Sequence, residues 1–309
     1  MEHGNLMIFD TASLYFRAYF GLPSSLRSPD GPQINAVKGL LDFIASLTAS
    51  YSPTHLACAW DDAWRPSWRV RLVPSYKAHR LADPASGAEE VPPELTAQVP
   101  LIRECLDALG IPIIGAPDHE ADDVLASLAA ASPRPSLVVT GDRDLFQLAA
   151  LPGVRIVYVA RGVARHELID DEQVRAKYGV PASRYVDFAV LRGDPSDGLP
   201  GVKGIGEKSA AMLAERYASL EEMVAAASDP GSSMGPAVRR KLAGSLDYLA
   251  AAREVVTAVT EAPIDGEPVA VGAATIDRER FDSLAEELGL GGTAGRVLAA
   301  LGAQEERSR

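Results

Sequence analysis

Three short apolar runs that each end at an aspartate constrain the fold of this chain more than any other feature. Residues 6–9 (LMIF) lead into Asp10, residues 56–60 (LACAW) into Asp61 and Asp62, and residues 136–140 (SLVVT) into Gly141, Asp142, Arg143 and Asp144. Two further runs, 111–114 (IPII) and 154–159 (VRIVYV), have the same length and character. Helical patterns separate most of them, over 37–48, 95–109, 122–131 and from 145 onward. Strands alternating with helices specify an α/β fold, a mainly parallel twisted sheet with helices on both faces. Ligands of such sheets collect beyond the carboxyl ends of the strands, so these aspartates are expected on one rim.

The stretch 118–123 (DHEADD) follows the run at 111–114 after a short Gly/Pro loop and carries four carboxylates in six residues. Val124, Leu125 and Leu128 then form one apolar stripe, which puts the acids at the entry or first turn of a helix. One or two acids there complement the helix dipole. Four do not, because carboxylates ~4 Å apart repel by about 4 kcal/mol at an effective dielectric of about 20 unless a proton or cation intervenes. The rim candidates are therefore Asp10, Asp61, Glu120, Asp122, Asp123, Asp142 and Asp144, and residues 192–201 (RGDPSDGLPG) can add Asp194 and Asp197. Oxygen-only clusters suit hard cations such as Mg²⁺ or Mn²⁺. So many acids exceed the needs of one ion, and two ions ~4 Å apart can clamp a phosphoryl displacement. Asp62 and Asp118 are expected to be solvent or capping residues.

The net charge of −12 argues against a polyanionic partner only if charge is evenly spread, and it is not. Residues 64–80 (WRPSWRVRLVPSYKAHR) hold Arg65, Arg69, Arg71, Lys77 and Arg80 and no acid, with Trp64, Trp68 and Tyr76 interleaved. Basic side chains with aromatic platforms suit a single-stranded or frayed nucleic acid; an amphipathic helix with a solvated basic face is the competing reading. Residues 198–210 (GLPGVKGIGEKSA) resemble a phosphate loop, but Glu207 separates Gly206 from Lys208 and breaks that motif. Gly204 and Gly206 opening a helix fit a hairpin that offers backbone amides to a phosphodiester, with Lys203 and Lys208 adding charge. Cys58 and Cys105 sit in apolar contexts and are expected as buried thiols of a reducing cytosol. No apolar run approaches the ~20 residues of a membrane span, and no signal-peptide pattern opens the chain. From about Asp170 the strand signal fades into helices and Gly/Pro/Ser loops. The expected domains are 1–171, with an excursion near 74–95; 172–266; and a C-terminal segment, 267–309, of undetermined packing.

The ordered set FDTASLYFRAYFGL, AWDD…PSYKAHR, HEADDVLASLA, TGDRDLFQL and RGDPSDGLPGVKGIGEKSA resembles the bacterial 5′–3′ exonuclease and flap endonuclease family, including the N-terminal nuclease domain of bacterial DNA polymerase I. It runs from about Leu6 to about Ala262, and no polymerase domain follows, as expected of a free-standing enzyme. The resemblance implies a PIN-like nuclease domain with a helical arch near 74–95, joined to a helix-three-turn-helix domain. It implies that Asp10, Asp61, Glu120 and Asp122 serve a first metal, and Asp142, Asp144 and Asp194 a second. Asp123 and Asp197 match acids that the bacterial branch adds, leaving room for a third ion. Lys77 and Arg80 match the basic pair at the foot of the arch, facing the scissile phosphate, and Arg17 matches a phosphate-contacting arginine. Arg65, Arg69 and Tyr76 are expected DNA contacts, as are Lys203, Gly204, Gly206 and Lys208, where the family often holds K⁺ on main-chain carbonyls. His79 stands where Asn is expected and Phe16 where Tyr is common.

The resemblance implies a Mg²⁺- or Mn²⁺-dependent nuclease, which is expected to be cytoplasmic and monomeric. Its expected substrates are branched, nicked or 5′-flap DNA, RNA-containing flaps included, cut to a 5′-phosphate and a 3′-hydroxyl. A non-catalytic structure-specific DNA-binding protein on the same scaffold should have lost several rim acids, and none of the expected positions is empty. An RNA-directed nuclease is the other alternative.

Overall fold

Side chains of the central strands are buried on both faces of the sheet, and their alternation sets the layers. The computed structural model describes residues 4–302 apart from positions 30, 84, 86 and 273–275. Its strands are β1 (Leu6–Asp10), β2 (His55–Ala59), β3 (Leu81–Asp83), β4 (Ala88–Glu89), β5 (Ile113–Ile114), β6 (Ser136–Thr140), β7 (Val154–Tyr158), β8 (Glu167–Ile169) and β9 (Val269–Ala270). In β1, Leu6 and Ile8 pack into one core while Met7 and Phe9 pack into the other, as alternation across a sheet requires. The main sheet runs β5-β2-β1-β6-β7-β8, and β9 pairs with β2. The pairs β1–β2, β1–β6, β2–β5 and β6–β7 are parallel; β8 on β7 and β9 on β2 are antiparallel. The chain builds outward from β1 through β2 to β5, then returns to the other side of β1 with β6. That reversal makes a crevice at the carboxyl end of β1.

The helices are α1 (Thr11–Gly21), α2 (Asn35–Tyr51), α3 (Ser67–Leu72), α4 (Pro93–Thr96), α5 (Gln98–Ala108), α6 (Ala121–Ala131), α7 (Asp171–Tyr178), α8 (Tyr185–Arg192), α9 (Glu207–Arg216), α10 (Leu220–Ser228), α11 (Pro236–Ala243), α12 (Leu246–Val256), α13 (Arg278–Glu287) and α14 (Gly292–Gly302). Side chains of α1, α2 and α5 cover the face of Met7 and Phe9, and those of α6 and α8 cover the face of Leu6 and Ile8. Buried residues run without a break from the sheet into α8, α9 and α12. Phe146, Tyr158, Tyr178, Tyr185 and Phe188 form an aromatic cluster where the sheet meets these helices. No helix among the described residues is long and apolar enough to cross a membrane.

Three local outcomes differ from the sequence reading. Helix α1, which the apolar pattern does not announce, starts because Asp10 caps it, accepting the amide of Ser13. The stretch 74–95 is not a continuous helix: it holds a 3₁₀ turn at Ala78–Arg80, the β3–β4 hairpin and the short α4. Pro74, Gly87, Pro92 and Pro93 break any longer helix there. The C-terminal segment is part of the main core. Strand β9 extends the sheet, α13 packs on α5 and α14 on α2, burying Phe281, Leu290 and Val297 completely.

Truncating Phe281 tests that last point. Phe281→Ala is expected to lower stability by about 3–5 kcal/mol, the usual effect of deleting a buried phenyl group, as a shift of the single urea-unfolding transition. A loss below about 1 kcal/mol would mean that α13 lies outside the cooperative unit.

Candidate active site

Strand ends place the acids. Asp10 ends β1, where its carboxylate accepts the Thr140 hydroxyl at 2.6 Å and the Ser13 amide at 3.2 Å. The Thr140 oxygen also accepts the amide of Asp142 at 2.9 Å, so one hydroxyl joins the exits of β1 and β6. Asp61, just past β2, accepts the Ala121 amide at the start of α6 at 2.8 Å. Asp142 accepts the Asp144 amide at 2.8 Å. Asp10, Asp61, Glu120, Asp122 and Asp142 line one open cleft together with Arg17, Lys77, Arg80 and Arg143. Asp144 and Asp197 line a narrow recess behind it, which Glu120 and Asp122 share. Asp194 is buried at its side, held by Arg143 at 2.8 Å and by Ser196.

The cations of the cleft are fixed by the same frame. The Lys77 ammonium donates to Glu120 at 2.6 Å, and the Tyr76 hydroxyl to the same carboxylate at 2.9 Å. Arg80 donates to Asp197 and to the carbonyl of Ser196, both at 2.8 Å. These contacts seat residues 75–80 on the loop 194–198, where the Lys77 amide donates to the Asp197 carbonyl. Gly198 is required in that loop: its φ is +70°, and a Cβ there would stand 2.1 Å from the Ser75 carbonyl oxygen. Arg17 crosses the turn at Gly141 to donate to the Ala160 carbonyl at 2.6 Å; a Cβ on Gly141 would meet its guanidinium at 2.6 Å. Arg143 and Thr140 are site residues that the sequence reading did not single out. The signal for Arg143 was its place between two rim acids; nothing in the pattern announced the Thr140 hydroxyl.

Four expected assignments change. Asp123 does not face the cleft: it is fully buried, and both its oxygens lie 2.7 Å from the Arg69 guanidinium. It also accepts the amides of Val259 and Glu120, so its lone pairs are used up. Arg69, expected on DNA, is 2% exposed because it forms the other half of that pair. Tyr76 is likewise buried and turned onto Glu120, and Arg65 donates to the carbonyls of Pro74 and Tyr76. Asp118 does serve as a cap, but of α3 and not of α6: it accepts the amide and hydroxyl of Ser67. The Gly-rich turn lies away from the cleft. Lys203, Gly204, Gly206 and Lys208 are exposed around the start of α9, and the Lys241 ammonium caps the Gly204 carbonyl at 2.7 Å.

Crowded carboxylates out of water resist ionising. Burial pushes Asp10 up to about 7, with Asp61 adding to it against the pull of Thr140. Burial also raises Asp61, and it raises Glu120 in spite of Lys77 and Arg69. Asp122 is raised well above the ordinary carboxylate range by burial and then by Asp142 and Asp10, and Asp144 by burial and then by Asp142 and Asp197. Asp142 is exposed at the surface yet lies inside a concave wall, so desolvation still raises it. Asp194 goes the other way: burial opposes its charge, but the bonds from Ser196 and Arg143 outweigh it. Among the described residues no three acids are already arranged around a point that could hold an ion, since Glu120, Asp194 and Asp197 are turned onto cationic side chains. The donor set nevertheless fits a hard dication, being all carboxylate, short of charge balance, and including a buried Asp144 oxygen with no partner.

Residues 5–179 match the 5′–3′ exonuclease N-terminal resolvase-like domain, and residues 180–279 match the 5′–3′ exonuclease C-terminal SAM fold. The chain therefore belongs to the 5′–3′ exonuclease family. It is 48% identical to a 5′–3′ exonuclease of Streptomyces coelicolor, covering 96% of this chain and 99% of that protein. It is 36% identical to DNA polymerase I of Mycobacterium bovis over 92% of this chain and 30% of the polymerase. The fold is also that of the bacteriophage T5 flap endonuclease solved with DNA and metal ions, at 16% identity and a TM-score of 0.64, covering 96% of this chain and 99% of that one.

The raised carboxyl groups predict how stability depends on pH. A folded-state pKa above the unfolded value means that the folded protein holds protons the unfolded chain has lost. That stability is complete below the unfolded value near 3.8 and disappears as pH rises through about 7 for Asp10. In EDTA the melting temperature is expected to fall between about pH 5 and about pH 8, and Mg²⁺ is expected to restore more of it at the upper end. A melting temperature that stays level across that range in EDTA would contradict the shifted acids.

Proposed function

We propose that the protein is a divalent-metal-dependent nuclease that cuts DNA at a 5′ end or 5′ flap beside a duplex. The observation that carries this reading is the single cleft in which acids from the ends of β1, β2 and β6 and the start of α6 meet Lys77, Arg80, Arg17 and Arg143. Asp10, Asp61, Glu120 and Asp122 would hold one ion, and Asp142, Asp144 and Asp194 another. Mg²⁺ or Mn²⁺ bound there supplies activation of water and neutralisation of the departing oxygen. The saturation of Asp123 withdraws one of the two acids expected for a third ion.

The chain's own cations do the rest. Lys77 lies on Glu120, a carboxylate that a metal would claim, and is then free to take the scissile phosphate, while Arg80, held on Asp197, lines the same cleft beside it. Arg143 and Arg17 stand beside them for neighbouring phosphates, Arg143 being 41% exposed in its side chain. The exposed start of α9, with Lys203, Gly204, Gly206 and Lys208, fits a duplex backbone through amides and charge. K⁺ fits this turn less well, because the Lys241 ammonium already caps Gly204, and no step draws on that ion. The T5 neighbour in complex with DNA supports a DNA substrate. RNA-containing flaps would be admitted, since no base-specific contact is needed. Hydrolysis leaves a 5′-phosphate and a 3′-hydroxyl.

A 5′-labelled flap duplex tests the reading. Cleavage is expected with Mg²⁺ or Mn²⁺, none in EDTA, and losses in Asp142→Asn and Asp144→Asn beyond the ~10- to 100-fold typical of outer partners. Undiminished cleavage in EDTA would sink the metal mechanism. Binding should weaken by about 0.9 log unit per tenfold salt for each duplex phosphate neutralised, so a flat salt response would speak against the basic surfaces.

A further inference from the structure

We infer that Arg69 and Asp123 form a positioning pair that sets the carboxylate-bearing end of α6 and ties it to the helical region beyond the sheet. Both side chains are almost fully buried, at 3% and 0% exposure. The guanidinium fork meets both Asp123 oxygens at 2.7 Å, and its third nitrogen donates to the Val255 carbonyl at the end of α12 at 2.9 Å. Asp123 in turn accepts the Val259 amide at 2.9 Å and the Glu120 amide at 3.2 Å. Three parts of the chain therefore meet at one ion pair: α3, which leads to Lys77; the first turn of α6; and the segment that leaves α12.

Each link bears on the cleft without touching it. Glu120 precedes α6 and Asp122 lies in its first turn, so the amide held by Asp123 belongs to one proposed ligand and the next residue but one is another. Arg69 also stands 3.7 Å from the Glu120 carboxylate. Asp61, the acid from β2, is held by the first amide of that helix. A rotation or slide of α6 would therefore displace Glu120, Asp122 and the partner of Asp61 together. The fork resists such motion because a planar bidentate pair fixes both distance and orientation, which a lysine ammonium does not. Because the same pair grips Val255 and Val259, the acids are in register only while the helical region is seated.

The inference rests on the proposed metal-dependent reading, and its test uses measurements that do not need cleavage. Removing one partner strands a buried charge, so the double variant Arg69→Gln/Asp123→Asn is made beside Arg69→Lys and Asp123→Asn. Urea unfolding selects the variants that fold. In the folded ones, flap-DNA affinity in EDTA is expected within about threefold of the unmodified protein, because neither side chain reaches DNA. Mn²⁺ affinity is expected to fall about 10- to 100-fold at unchanged stoichiometry, the range for groups that orient ligands. The single-turnover cleavage rate at saturating Mn²⁺ should fall with it, and Arg69→Lys should lie between. A tenfold or greater loss of DNA affinity in EDTA with Mn²⁺ binding intact would make Arg69 a DNA contact and overturn the inference. So would loss of one Mn²⁺ equivalent in Asp123→Asn alone, which would make Asp123 a ligand, or wild-type Mn²⁺ affinity and rate in the folded double variant. An unmodified protein that binds Mn²⁺ but cuts no flap would instead refute the proposed activity, leaving the metal titrations to decide the pair.

Discussion

Like charge held out of water is the constraint on which this structure turns. A parallel sheet delivers the carboxyl ends of its strands to one edge, and here the reversal of strand order at β1 draws the exits of β1, β2 and β6 together. The acids at those exits cannot all ionise side by side without compensation. Part of that compensation is internal: Lys77 lies on Glu120, Arg143 on Asp194 and Arg80 on Asp197. What remains uncompensated, in Asp10, Asp122, Asp142 and Asp144, is the part of the site with an affinity to spend on a cation.

Two of these cations, Lys77 and Arg80, come from a segment that has little structure of its own. Residues 74–95 carry too many prolines for a long helix, so their geometry is borrowed from what they touch. Ser75, Lys77 and Arg80 all bind the loop 194–198, and Lys77 adopts a left-handed backbone at φ 47° to do so. That loop follows α8, which packs against the sheet in the same core as β1 and β6. Cleft and helical region are thus one mechanical unit, and the buried Arg69–Asp123 pair is a second joint between them.

Much of the site was legible because burial in a parallel sheet leaves a plain mark. Uninterrupted apolar runs located β1, β2, β5, β6 and β7, though not the short β3, β4, β8 and β9, and an aspartate at or just after the end of such a run has little choice but to stand at the rim; Asp10, Asp61 and Asp142 were placed that way. The C-terminal helices were not, since α13 and α14 acquire their role only by covering α2 and α5, which are distant in sequence. The acids at 118–123 show the boundary most clearly. Their composition announced a helix start rich in charge, yet Asp122 and Asp123 are neighbours with opposite surroundings, one in the cleft and one under it.

The sequence by itself determined the α/β architecture, the rim, the family and the basic character of residues 64–80, because periodicity and local charge are properties of neighbours along the chain. Only the tertiary structure decided which charges face the cleft and which are consumed within the fold. Arg69 and Lys77 look alike as basic residues of one stretch, and Asp123 looks like Asp122. A turn of about 100° per residue separates successive side chains on a helix, and whether that turn points a carboxylate at a cleft or at a buried guanidinium depends on what packs against it from more than fifty residues away.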